Sequence, residues 1–313
     1  MTDTNNSYQQ VPGGTGTLGE RRVGRIGYGA MQLWERDRDA AGRVLSRAVE
    51  LGVDHIDTAS FYGDSAAVNR AIHAALAPYP DDLALVSKVG ARHEAGKEIP
   101  LAPAQHPDQL RAQVELDLRS LGTDHLTAVN LRRMDIGPGI VAEGDDAAPL
   151  DDQLAELIAL RDEGKIGAIG LSNIGADQLQ AALPAGIVCV QNAYSLLDRT
   201  DEALLETCRE HGIAWVPYFP LGSAFESIPS VTDHFAVREV AEQAGATPAQ
   251  VGLAWLLAHA DNTLLIPGTG SVGHLEENVA AGEVRLSAEA MAALDAAADT
   301  AAAAAGRAGM TEG

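Results

Sequence analysis

The sequence predicts a single (β/α)8 barrel spanning 1–313, and three observations carry that prediction. Short β-branched runs alternate with longer amphipathic runs about eight times, with no shift in composition and no long linker between halves. A length of 313 residues suits one α/β barrel as well as two average domains. The first strand also lacks the Gly-x-Gly-x-x-Gly turn of a doubly wound dinucleotide-binding sheet, which weakens the open-sheet alternative. The ordered barrel is expected over about 14–298. Loose ends are expected at 1–12, rich in Asn, Gln and Ser, and at 299–313, rich in Ala and Gly.

Gly14–Arg22, with Gly19-Glu20 near its centre, predicts a short β-hairpin at the bottom of the barrel. Val23–Tyr28 is expected as the first barrel strand. It is followed by His55–Thr58, Leu83–Val89, Leu126–Leu131, Ile166–Leu171, Ile187–Gln191, Ile213–Tyr218 and Thr263–Pro267. Most are short apolar runs bounded by Gly, Pro or Asp, as strands buried on both faces should be. Helices are read from Val44, Leu45, Ala48 and Val49 ending at Gly52, and from Leu110, Val114, Leu118 and Leu121 between Pro107 and Gly122. Another is read from Leu154, Leu157 and Ile158 ending at Gly164.

Lys and Arg total 22 against 44 Asp and Glu, a formal net charge of −22. Such a field repels phosphate backbones and anionic membranes, so neither nucleic acid nor membrane is expected as a partner. Cys189 and Cys208 have neither metal-ligand nor disulfide spacing, and the nine His residues are not clustered, so no metal is expected. Met1–Gly14 has no apolar signal core and no run is long enough to cross a bilayer, which points to a cytoplasmic chain, monomeric or a small homo-oligomer.

A (β/α)8 barrel places its active site at the C-terminal strand ends. The polar residues there are Asp57, Tyr62 in the loop that follows, Lys88, Arg132, Ser172, Asn173, Gln191 and Tyr218. A phenol with a pKa of about 10 is a poor acid unless its anion is stabilised. An ammonium at Lys88 would lower that pKa, and a carboxylate at Asp57 would hold the ammonium in place. Tyr62 could then protonate a carbonyl oxygen as hydride arrives. Taken singly, Asp57 could cap a turn, Tyr62 could be a surface aromatic and Lys88 could pair with a neighbouring acid. Their convergence at consecutive strand ends argues otherwise.

With these residues in place the chain resembles the aldo-keto reductase superfamily. The matching segments are Asp57-Thr58-Ala59-Ser60-Phe61-Tyr62-Gly63, Val86-Ser87-Lys88, Gly170-Leu171-Ser172-Asn173, Val190-Gln191-Asn192, Tyr218-Phe219-Pro220-Leu221-Gly222 and Leu275-Glu276-Glu277-Asn278. They occur in family order over roughly 20–298. The resemblance implies NAD(P)H-dependent reduction of an aldehyde or ketone, with Asp57, Tyr62 and Lys88 in the catalytic tetrad. It implies that Ser172, Asn173 and Gln191 hold the nicotinamide carboxamide, that the ring stacks on Tyr218 beside Phe219 and Leu221, and that Glu277 and Asn278 meet the adenine. Ser172-Asn173 would equally suit a helix cap, Gln191 a satisfied core amide, and Tyr218 plain packing between Pro217 and Pro220.

Two departures from the family pattern stand out. Arg132 stands where the tetrad's His is usual, in Val129-Asn130-Leu131-Arg132. Arg cannot relay a proton at neutral pH, which leaves Tyr62 as the sole donor. It can orient a carbonyl oxygen or hold an anionic group of the substrate, and it would depress the Tyr62 pKa further. Alternatively Arg132 points outward or pairs with Asp135. After the last strand, Gly268 and His274 replace the Lys and Arg that commonly grip the adenosine 2′-phosphate. Thr269, Ser271, His274 and the backbone at Gly268 are left as donors. NADPH is the implied cofactor, with NADH as the alternative.

Met31, Trp34 and Phe61 are expected to line the substrate pocket, whereas Trp255 belongs to a helical run. The resemblance is to bacterial members related to pyridoxal reductases, which implies a pyridoxal-like or keto-sugar substrate. Two other functions stay open: a non-catalytic cofactor-binding regulatory protein, and an epimerase or dehydratase using bound nicotinamide transiently.

Overall fold

The computed structural model describes residues 11–97, 99–137, 140–222 and 229–309. The chain opens on β1 (Thr15–Leu18) and β2 (Arg21–Gly24), paired antiparallel across the two-residue turn Gly19-Glu20. Gly19 sits at φ 62, the left-handed conformation that so tight a turn demands. Leu18 and Val23 of this hairpin are buried with Ala84, Ala128, Ala214 and Leu264, residues near the N-terminal ends of barrel strands. The hairpin therefore plugs the bottom of the barrel. Val23 belongs to this hairpin rather than to the first barrel strand, because its backbone is taken by the ladder with Gly16.

Strands and helices of the barrel then alternate over most of the chain. It runs β3 (Tyr28–Gly29), α1 (Arg38–Glu50), β4 (His55–Asp57), α2 (Ala67–Leu76) and β5 (Ala84–Val89). An antiparallel excursion, β6 (Ala91–His93) with β7 (Leu101–Pro103), intervenes before α3 (Pro107–Leu121). The remainder is β8 (Ala128–Arg132), α4 (Leu150–Asp162), β9 (Ile169–Ser172), α5 (Ala176–Ala182), β10 (Ile187–Gln191), α6 (Glu202–Glu210) and β11 (Ala214–Trp215). Helices α7 (Phe235–Ala244), α8 (Pro248–His259), α9 (Val272–Ala280) and α10 (Ala288–Gly309) complete the chain. The parallel sheet has the order β3-β4-β5-β8-β9-β10-β11.

Residues 263–268 close the cylinder, bridging Thr263 to Trp215 on one side and Leu265 to Ile26 on the other. At this seam Gly268 bridges Gly29, and a Cβ on Gly29 would collide with the Ile266 carbonyl. The close approach of the two backbones thus requires glycine there.

The helix punctuation read from the sequence is present: α3 starts at Pro107 and stops at Gly122, φ 64. Leu110, Val114 and Leu121 on α3 are buried against the sheet. In α8, Trp255 is buried and its indole N–H donates to Asp295 Oδ1 at 3.0 Å, so it is a core residue. Helix α10 carries on through the Ala-rich run beyond 298, as the high intrinsic propensity of Ala favours. The loose end read at 1–12 falls mostly outside the described residues. No helix among the described residues is long and apolar enough to cross a membrane.

Candidate active site

Parallel pairing aligns the strand ends that carry polar side chains. Lys88 lies beside Asn130, Arg132 beside Ser172, and Ser172 beside Gln191. Side chains alternate along a strand, so those turned inward at the C-terminal rim converge. Lys88 and Asp57 form a buried ion pair there. Gln191 Nε2 donates to the other Asp57 oxygen at 2.7 Å, so three strands meet at one carboxylate. The Lys88 ammonium lies 5.4 Å from the Tyr62 ring centroid, close enough for its charge to act on the phenol.

Burial pushes the Tyr62 phenol above its ordinary value, although Lys88 and Arg132 pull the other way. This corrects the expectation of a lowered pKa: spacing along the chain shows the cations, but the larger effect is removal of the phenolate from water. For Lys88, burial acts downward, yet the charges of Asp57 and Tyr62 outweigh it and hold the ammonium above the usual lysine range.

Arg132 faces the same mouth. Its guanidinium lies 6.0 Å from the Tyr218 ring centroid and pulls the Tyr218 phenol pKa downward, while Nε is buried with no partner among the described residues. The pairing with Asp135 is made by Arg133 at 2.6 Å, which turns to the opposite side and also bonds the Ala148 carbonyl at 3.0 Å.

Ser172 Oγ and Gln191 Oε1 are buried and likewise unpartnered among the described residues. Ser172 is not a helix cap, since α5 starts from Gly175, whose N–H is taken by Gln178. Asn173 is held at φ 58, its Nδ2 donating to the Arg133 and Ile136 carbonyls and its Oδ1 accepting from the Tyr218 hydroxyl at 3.1 Å. It ties the loop after β8 to the aromatic. Phe219, at φ 57, meets Tyr218 edge-on at 5.1 Å, and Leu221 packs against the core.

Around the seam, Thr269 is buried, its carbonyl accepting from Tyr28 at 2.6 Å. Ser271 caps α9 by accepting from the His274 N–H. Gly268, His274 and Glu277 are exposed and Asn278 is buried. Sequence reading passed over Arg36, whose guanidinium lies so close over Gly270 that a Cβ there would collide with it. That contact spans more than 200 residues of chain, and the only local signal is a basic residue two places after Trp34.

Met31 and Trp34 sit exposed on a short 3₁₀ turn (Met31–Glu35) beside the rim. Phe61 instead is buried with Ala59, Ala91 and Met134 and meets Tyr62 edge-on at 5.2 Å, so it backs the site. Ile136 and Val141, in the loop after β8, are also exposed. No group of His, Cys, Asp and Glu suited to a metal occurs among the described residues.

The Aldo/keto reductase family model matches residues 25–299. The chain belongs to the aldo/keto reductase family. This aldo/keto reductase is 45% identical over 289 residues to a pyridoxine 4-dehydrogenase of Escherichia coli, covering 90% of this chain and 97% of that protein. It is 34% identical to an uncharacterized oxidoreductase of Schizosaccharomyces pombe, covering 90% and 89%. Among solved structures, a Klebsiella pneumoniae aldo/keto reductase in complex with NADP and acetate superimposes with a TM-score of 0.73 at 29% identity, covering 90% of this chain and 94% of that one. A thermostable aldo-keto reductase bound to the inhibitor epalrestat gives 0.75 at 29%, covering 90% and 99%.

Proposed function

We propose that this oxidoreductase reduces an aldehyde or ketone, with Tyr62 giving the proton and NADPH as cofactor, on a substrate whose anionic or strongly polar group Arg132 holds. The observation that carries the reading is the buried Asp57–Lys88 pair beside a half-buried Tyr62, facing an Arg132 with no carboxylate partner among the described residues. The 45% identity to a pyridoxine 4-dehydrogenase supports a pyridoxal-like substrate over a keto-sugar.

The site fits a nicotinamide. Ser172 Oγ and Gln191 Oε1 are two unpartnered buried polar atoms on adjacent strands, the arrangement a carboxamide needs, and Tyr218 offers a half-buried ring edge-on to Phe219. When bound, the cofactor supplies the hydride. The protein supplies the rest. Tyr62 keeps its proton across neutral pH and holds it at the phenol oxygen where the carbonyl oxygen must arrive. Lys88 stabilises the phenolate left after transfer, and Asp57, steadied by Gln191, keeps Lys88 aimed. Loss of reduced-nicotinamide absorbance with pyridoxal, abolished in Tyr62→Phe, tests the reading. An enzyme without turnover on any carbonyl would overturn it.

The raised Tyr62 pKa sets the pH dependence. The acid form is the active one, so kcat/KM for a carbonyl with no ionisable group should stay level through neutrality. It should fall only as pH rises past the ordinary phenol value of about 10. A basic limb already complete below about pH 8 would contradict this.

Arg36 fills the role left open by Gly268 and His274, a cation beside the loop that opens α9. In Arg36→Ala the KM for NADPH should rise about tenfold while that for NADH stays unchanged, as expected for a guanidinium on a phosphate monoester. Equal losses with both would put Arg36 on the pyrophosphate instead.

A further inference from the structure

We propose that Asp117, on α3 and outside the barrel wall, is the positioning residue that sets Asp57, Tyr62 and Lys88 relative to one another. The proposal rests on the reading of Tyr62 as proton donor given above.

Asp117 is fully buried, and its carboxylate accepts hydrogen bonds from two separate elements and lies beside a third. Ser87 Oγ of β5 donates to Oδ2 at 2.8 Å, and Asn69 Nδ2 of α2 donates to Oδ1 at 2.8 Å. Ser60, in the loop after β4, lies close enough to act on the same carboxylate. Asn69 in turn accepts from the Thr58 hydroxyl at 2.7 Å through its own Oδ1 and reaches Ser120 Oγ at 3.1 Å.

The sequence neighbours of these donors make the arrangement functional. Thr58 follows Asp57, Ser60 stands two before Tyr62, and Ser87 precedes Lys88. In a strand, consecutive side chains leave opposite faces, so the outward Ser87 fixes the height at which Lys88 enters the barrel. The segment after β4 is tied at Thr58 and passes the same carboxylate at Ser60 before it delivers Tyr62. One carboxylate behind the wall therefore braces the segments that carry all three residues, directly through Ser87 and by way of Asn69 through Thr58. Burial pushes its carboxyl up to about 7 against the pull of these donors, and none of the partners is a cation. A simple core position would be filled by an apolar residue at less expense in desolvation.

Asp117→Asn keeps shape and volume but puts an amide donor where an acceptor was. With pyridoxal as substrate, kcat should fall about ten- to a hundredfold, the scale set by a misplacement of about 1 Å at the reacting atoms. KM, and the NADPH Kd from fluorescence titration, should hold, because Arg132, Ser172 and Gln191 lie on other strands and Tyr218 follows β11. Ser87→Ala and Ser60→Ala should each lower kcat with the same split, and adding either to Asp117→Asn should lower it no further, as expected for residues acting as a unit.

A folded Asp117→Asn enzyme with parental kcat overturns the proposal. So do Ser87→Ala and Ser60→Ala enzymes that both keep parental kcat, the deciding measurement should Asp117→Asn fail to fold. A kcat loss matched by equal losses in KM and NADPH Kd also overturns it, since that is general damage. If Tyr62→Phe is inactive while Asp117→Asn is fully active, the inference about Asp117 alone fails. If Tyr62→Phe is active, the reading beneath it fails.

Discussion

Tyr62→Phe is expected to lower kcat for carbonyl reduction by about 10²–10⁴-fold, the usual worth of a positioned proton donor, with the NADPH Kd unchanged. The size follows from the surroundings. On the reading of Tyr62 as proton donor, Arg132 cannot serve as a second one, since a guanidinium does not relay a proton at neutral pH, so removing one hydroxyl should remove the donor. Folding should be little affected: the Tyr62 ring still meets Phe61 edge-on at 5.2 Å, and the lost hydroxyl lies near Lys88, which keeps Asp57. Steady-state kinetics on folded protein checks this, and a loss of less than tenfold would mean that water or another group gives the proton.

Arg132→Ala should raise KM about 10–100-fold for a carbonyl carrying a phosphate or carboxylate and leave a neutral analogue nearly unchanged, the range for a hydrogen bond to a charged group. Pyridoxal 5′-phosphate against pyridoxal is a suitable pair. The variant should fold, within about 1 kcal/mol of the parent, because Nε already lacks a partner and no carboxylate is left stranded. Arg132→His is the companion test. Unchanged activity toward every tested carbonyl would remove Arg132 from substrate selection.

The two variants probe positions that differ in how they could be found. Tyr62, Asp57 and Lys88 were legible as a set because strand periodicity put them at consecutive strand ends, where a barrel builds its site. Arg132 was legible as a substitution but not in its direction. Only the structure shows that Arg133, not Arg132, takes Asp135, since adjacent strand residues part to opposite sides and the sequence does not say which side faces the mouth. Whether Ser172 caps a helix was open until α5 was seen to start from Gly175.

Asp117 and Arg36 carried no signal of this kind. Each acquires its meaning from partners distant in the chain: Asp117 from Ser60, Asn69 and Ser87, Arg36 from Gly270.

By itself the sequence determined the barrel, the hairpin at its bottom, the alternation of strands and helices, the family and the polar residues at the strand ends. All of these rest on local periodicity, turn chemistry and ordered motifs. The tertiary structure alone decided which way Arg132 faces, that the Tyr62 phenol is raised rather than lowered, and which remote side chains stand behind the site. Burial and electrostatic balance are sums over neighbours in space, and a linear pattern names neighbours only along the chain.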